Sequence, residues 1–79
     1  MDNTIYIFGR SIKGEHISVP IVFKEAIVDD IKKYISENLK IEKNNVKIIL
    51  CGVELKDDTY LRDTNILRGA CFHFIVKTI

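Results

Sequence analysis

Tryptophan is absent, and proline, methionine and cysteine are scarce, with one, one and two residues. Two cysteines cannot frame a secreted disulfide scaffold, complete a zinc cluster or supply the four thiolates of an iron–sulfur centre. Cys51 and Cys71 are therefore expected as reduced thiols, and no metal or other cofactor is expected. No apolar run approaches the roughly 20 residues that cross a bilayer. The opening MDNTIYIF has neither the basic region nor the small-residue cleavage site of a secretory leader, which makes a cytoplasmic or nuclear location the expectation. Charge of one sign is lacking too: 12 basic residues face 11 acidic ones for a net charge of +1. These charges are interspersed, so the chain has no basic stripe of the kind that tracks nucleic acid. Neither nucleic acid nor a membrane is expected as a partner. No repeat, low-complexity tract or linker divides the 79 residues, and one domain over 1–79 is expected, as a monomer. That is close to the size at which one core barely offsets chain entropy, and it leaves no second lobe for an enzyme.

What is present is clear periodicity. TIYIFGR, residues 4–10, is β-branched and aromatic, and Ile17-Ser18-Val19-Pro20-Ile21 alternates apolar with small or polar positions. Ile12-Lys13-Gly14 between them supplies a turn with glycine at a left-handed position, so the two strands form a hairpin. Pro20 has no amide to donate, which confines the second strand to a sheet edge. With Ile5 and Ile7 inward, Tyr6 and Phe8 face out as a second, aromatic patch. From Ala26 to about Lys40 the period becomes helical, with Val28, Ile31, Ile35 and Leu39 on one stripe. Asp29 and Asp30 favour its start and Lys40 its end, although no Ser or Thr precedes Ile27 and no glycine follows Leu39.

The connector 41–45 leads to Ile48-Ile49-Leu50, then Cys51-Gly52, then Val53-Glu54-Leu55. Two apolar runs separated by two residues read as a tight hairpin, whose positive φ angles Gly52 accepts freely and Cys51 at a cost. Next, Leu61 and Ile66 bracket the polar corner Arg62-Asp63-Thr64-Asn65, where Asp and Asn can accept from nearby backbone amides. Residues 69–79 form the last strand. Phe72, Phe74 and Val76 alternate there with Cys71, His73, Ile75 and Lys77, and bulk assigns the Phe set to the core.

The stretch Ile48-Ile49-Leu50-Cys51-Gly52, Leu55, Asp57, Leu61, Asp63, Asn65, Ile66 resembles ubiquitin and the ubiquitin-like domains, where an LIFAGK.L.D...L.DYNI run joins the third strand to the last. The resemblance implies an α+β fold, the β-grasp: ββαββ, with one mixed sheet wrapped on one helix and the first and last strands parallel at its centre. It also implies a protein-binding patch on the outer sheet face. The matching positions are Ile12, Ile49, His73 and Ile75, with Lys47 and Gly52 at the margin and Val53 widening it. Single exposed aliphatics are ordinary, whereas several converging on one face mark a partner site. The expected partners are proteins such as ubiquitin receptors or proteasome or ligase components.

The chain departs from ubiquitin at its end, Lys77-Thr78-Ile79, where a conjugated modifier carries Gly-Gly. Arg10, Glu15, Tyr34, Asn38, Val53 and Arg68 stand at positions of chain-bearing lysines, and Lys32 alone persists. The expectation is a non-conjugating recognition module. One alternative is a modifier whose Gly-Gly tail lies beyond Ile79. Another is a small thiol enzyme, with Cys71 as nucleophile and His73 as base, which lacks an evident third group to orient it. In the sheet, Ile49 opposite His73 would set Cys51 opposite Cys71.

Overall fold

The computed structural model describes residues 4–22, 24–64, 66 and 71–77. Asn65, Arg68 and the ends of the expected last strand, 69–70 and 78–79, lie outside the described residues. The elements are β1 (Thr4–Ser11), β2 (His16–Val22), α1 (Val28–Leu39), β3 (Val46–Leu50), β4 (Val53–Glu54) and β5 (Cys71–Val76), with single 3-10 turns at Lys43–Asn45 and Leu61–Asp63. The sheet runs β2-β1-β5-β3-β4, with β1 and β5 parallel and the other neighbours antiparallel. This is the expected β-grasp order, extended by the two-residue β4 on one edge. Pro20 sits on the other edge, in β2, as its missing amide requires.

Alternation along each strand divides the sheet into two faces. Ile7, Val19, Ile21, Val46, Ile48, Phe72 and Phe74 point to the helix, which contributes Val28, Ile31 and Ile35, and all ten are buried. Leu61 and Ile66 are fully buried as well and pin the corner between them. Within that corner the Thr64 hydroxyl makes the bonds: it donates to the Leu61 carbonyl at 2.6 Å and accepts from the Ile66 amide at 3.2 Å. The sequence pattern points to Asp63 and Asn65 for this role, and of these Asn65 lies outside the described residues.

The helix is shorter than its periodicity suggests, Val28–Leu39 rather than Ala26 to Lys40. Its first amides are satisfied by a distant loop: Val28 N donates to Thr59 O and Asp29 N to Asp57 O, each at 2.9 Å. The Asp30 carboxylate accepts the Ile27 amide at 2.9 Å, so a helix with no Ser or Thr cap still leaves few orphan donors. At the other end Lys40 takes a left-handed conformation, φ 55°, where glycine is usual. The Lys32 ammonium, on a buried residue of the helix, is held by the Asp57 carboxylate, which binds the same loop to the helix a second time. Lys43 and Asp29 pair at 2.8 Å, and that hydrogen bond raises the lysine above its ordinary pKa. The lysine is therefore charged at neutral pH, and its contribution to the pair is lost as alkaline pH passes the raised value.

Two glycines and a serine fix the hairpins. Ser11 is buried, and its hydroxyl accepts from the amides of Lys13 at 3.2 Å and Glu15 at 3.0 Å, closing the first turn around Gly14. In the second turn Cys51 and Gly52 have φ of 53° and 80°, the pair of positive values that a two-residue hairpin demands. Gly9 matters for space instead. A Cβ there would lie 2.4 Å from Cζ of the Phe72 ring, which is itself fully enclosed. Gly9→Ala is expected to destabilise the fold by about 1–3 kcal/mol, the usual cost of overpacking. Urea unfolding of this variant beside exposed Lys33→Ala checks it, and equal midpoints would show that the ring has room to move.

Candidate functional site

The outer face of the sheet is built by the residues that alternation turns away from the helix. On β5 these are Cys71, His73 and Ile75, exposed or half-buried between the buried Phe72 and Phe74. Antiparallel register sets Lys47 opposite Ile75 and Ile49 opposite His73, and Glu54 of β4 opposite Ile49. Parallel register sets Arg10 of β1 beside His73. Ile49 is thus half-buried among Lys47, His73 and Glu54, while Lys47 reaches across to Glu54 with Nζ 3.9 Å from Oε1.

The sequence-predicted residues separate into a contiguous group and a margin. Lys47, Ile49, His73 and Ile75 are mutual neighbours on two adjacent strands. Ile12 lies one residue past β1 and is 73% exposed; continuing the β1–β5 register by one step brings it beside Ile75. Gly52 is exposed in the turn beyond β3. Val53 is exposed but is the registered partner of Leu50, which belongs to the inner set, so it sits at the sheet edge and Glu54 is the nearer neighbour of Ile49. Phe8 and Tyr6 are exposed on the same outer face one and two rows further along, opposite Ser18 and Pro20. Phe8 also neighbours Cys71, so the aromatic pair continues the patch.

Sequence reading passes over Arg10 and His16 as site residues. Arg10 pairs with His16 on one side and His73 on the other. The signal is available: counting back from the Gly14 turn sets 10 opposite 16, but only the assembled sheet brings residue 73 to the same row.

Cys71 and His73 share a face, and both are exposed. The Cys71 thiol lies 3.6 Å from the Phe72 carbonyl oxygen, and among the described residues no carboxylate bonds His73. Thiol chemistry thus lacks the orienting group that a nucleophile and base pair uses. Both cysteines are free. Ladder pairing ends at Ile49 and His73; two residues on, the same register sets Cys51 against Cys71. Glutathione disulfide is expected to convert the two thiols to an intramolecular disulfide, with two molecules of reduced glutathione released, because directly opposed residues are about 5.5 Å apart at Cα. Mass spectrometry of the oxidised protein checks this: a product carrying only mixed glutathione adducts would show that the turn holds Cys51 away.

The ubiquitin family model matches residues 7–79. Among solved structures, the UBL domain of Plasmodium falciparum Dsk2 superposes with a TM-score of 0.82 at 26% identity, over 92% of this chain and 97% of that one. Curated proteins give no match.

Proposed function

We propose a function that starts from family membership: the chain belongs to the ubiquitin family. It acts as a protein-recognition module, binding partners through the outer sheet face with Ile49 as the anchor. The observation that carries this reading is the contiguity of Lys47, Ile49, His73 and Ile75 in registered pairs on β3 and β5, with the opposite face wholly committed to the helix. Full burial of a large aliphatic side chain gains about 1.5–3 kcal/mol. Association entropy and ordering offset much of the sum, so binding is weak, about micromolar, as for small transient interfaces. The partners are proteins that read ubiquitin-like domains: ubiquitin receptors, or proteasome or ligase components. The similarity to a Dsk2 UBL domain supports that class. Recognition through the sheet face makes no use of the C-terminal residues.

The module reading also fits Lys32. It alone stands where ubiquitin carries a chain-bearing lysine, and its ammonium is enclosed against Asp57. Acylation there would have to break that pair and draw the lysine side chain out of the fold.

The test compares binding of purified proteasome ubiquitin-receptor fragments to wild type, Ile49→Ala and Lys33→Ala, all confirmed as folded by circular dichroism. Loss of a central buried side chain is expected to cost about 1–2 kcal/mol, roughly five- to thirtyfold in Kd, with Lys33→Ala unchanged. Full binding by Ile49→Ala would sink the assignment.

A further inference from the structure

The chain has three tyrosines, and they differ in what holds them. Tyr34 is half-buried on the helix and packs against the core. Tyr6 is exposed, but it lies within β1, where its backbone is committed to the ladder with β2. Tyr60 is 41% exposed and stands outside the helices and strands, between β4 and the 3-10 turn at Leu61–Asp63, with an isolated bridge to Ile27. Among the described residues no hydrogen-bond partner holds its hydroxyl.

A cation already covers the ring. The Arg62 guanidinium lies 4.5 Å from the Tyr60 ring centroid, and its Nη1 donates to the Lys24 carbonyl at 3.3 Å. Such stacking is weak at an exposed site, the bond to Lys24 is long, and among the described residues no carboxylate pairs with Arg62. A guanidinium is a planar fork of N–H donors matched to phosphate as well as to carboxylate. This one has donors to spare, and it sits on the ring whose oxygen would bear the phosphate. Asp58 and Asp63 are exposed on either side of Tyr60 in the sequence, which suits the segment to a cationic substrate groove. Their charge also means that a phosphate here needs a cation, which Arg62 supplies.

We infer that Tyr60 is a phosphorylation site, and that Arg62 leaves the Lys24 carbonyl to hold the phosphate. The donor is ATP bound to a protein kinase. Tyr60 Oη attacks the γ-phosphorus, the bond to the leaving ADP breaks as the Oη–P bond forms, and the phenolic proton passes to the base of the kinase. The product carries about two negative charges at neutral pH. A charge-assisted pair between that group and a guanidinium outweighs a long bond to a neutral carbonyl. Arg62 therefore ties its segment to Lys24 before the modification and to the phosphate after it. Tyr60 belongs to the segment whose carbonyls accept the first amides of the helix, so the inference stands apart from the sheet-face reading and does not depend on Ile49.

Phosphate transfer from magnesium ATP by a purified tyrosine kinase domain tests this, with a synthetic peptide of residues 56–63 as the substrate control. Mass spectrometry of the folded chain is expected to find one phosphate, on Tyr60, and none in Tyr60→Phe. Backbone amide spectra should then show displaced resonances at Arg62 and at Glu25, which follows the released carbonyl, with Ile49 and His73 unmoved. In Arg62→Ala, phosphorylated at the same residue, Glu25 should stay in place. Transfer to Tyr6 or Tyr34 instead, or failure of the folded chain to accept phosphate, would overturn the site. An equal displacement of Glu25 in Arg62→Ala would overturn the role of Arg62. Neither result bears on Ile49→Ala, whose partner binding is measured on the unmodified chain.

Discussion

Phe72 and Phe74 are each 1% exposed, packed beneath the helix with their rings 6.4 Å apart. They belong to the strand that lies between β1 and β3. On a strand the side chains alternate, so burying these two rings fixes the outward direction of Cys71, His73 and Ile75. A slip of one residue would exchange the two sets, exposing both rings and burying His73, which the loss of buried apolar area forbids. Gly9 is part of the same constraint, because its missing side chain is the space that the Phe72 ring fills. The core and the outer face are therefore two consequences of one register.

The helix is fastened by a second, non-local device. Its opening amides donate to the carbonyls of residues 57 and 59, Leu61 N donates to Ala26 O at 3.0 Å, and the Lys32 ammonium closes on Asp57. Arg62 extends this clamp, stacking over Tyr60 at 4.5 Å and donating to the Lys24 carbonyl at 3.3 Å. A helix with no polar N-cap thus starts at a definite residue because another segment supplies its acceptors. The sheet's far face is not needed for any of these bonds, which leaves it available for recognition.

Much of this is legible in the sequence, where local pattern decides the structure. The stripe Val28, Ile31, Ile35 marks the helix, Gly14 and Gly52 the hairpins, Pro20 an edge, and the alternation around His73 the two faces. The illegible parts depend on contacts between distant residues. Helix start cannot be read from 24–30 alone, since its acceptors come from 57 and 59. Ser11 reads as an ordinary strand residue until the turn folds back onto its hydroxyl. Arg10 reads as a lost lysine until two strands flank it with histidines. The resemblance to ubiquitin places Val53 at the widened margin of the patch, and its pairing with Leu50 puts it on the edge strand.

At the heart of the proposed function, the outer face of β3 and β5 meets the partner while the helix stripe serves only the core. Methyl cross-saturation from a bound receptor fragment reads this directly, because the chain's isoleucines sample both the buried core and the sheet surface. The largest signal loss is expected at Ile49, with Ile12 and Ile75 next, and little at Ile31 and Ile35, which are fully buried on the sheet-facing side of the helix. Largest loss at residues of the helix side, such as Leu39 or Ile41, with Ile49 unaffected, would put the interface on the wrong face and end the proposal.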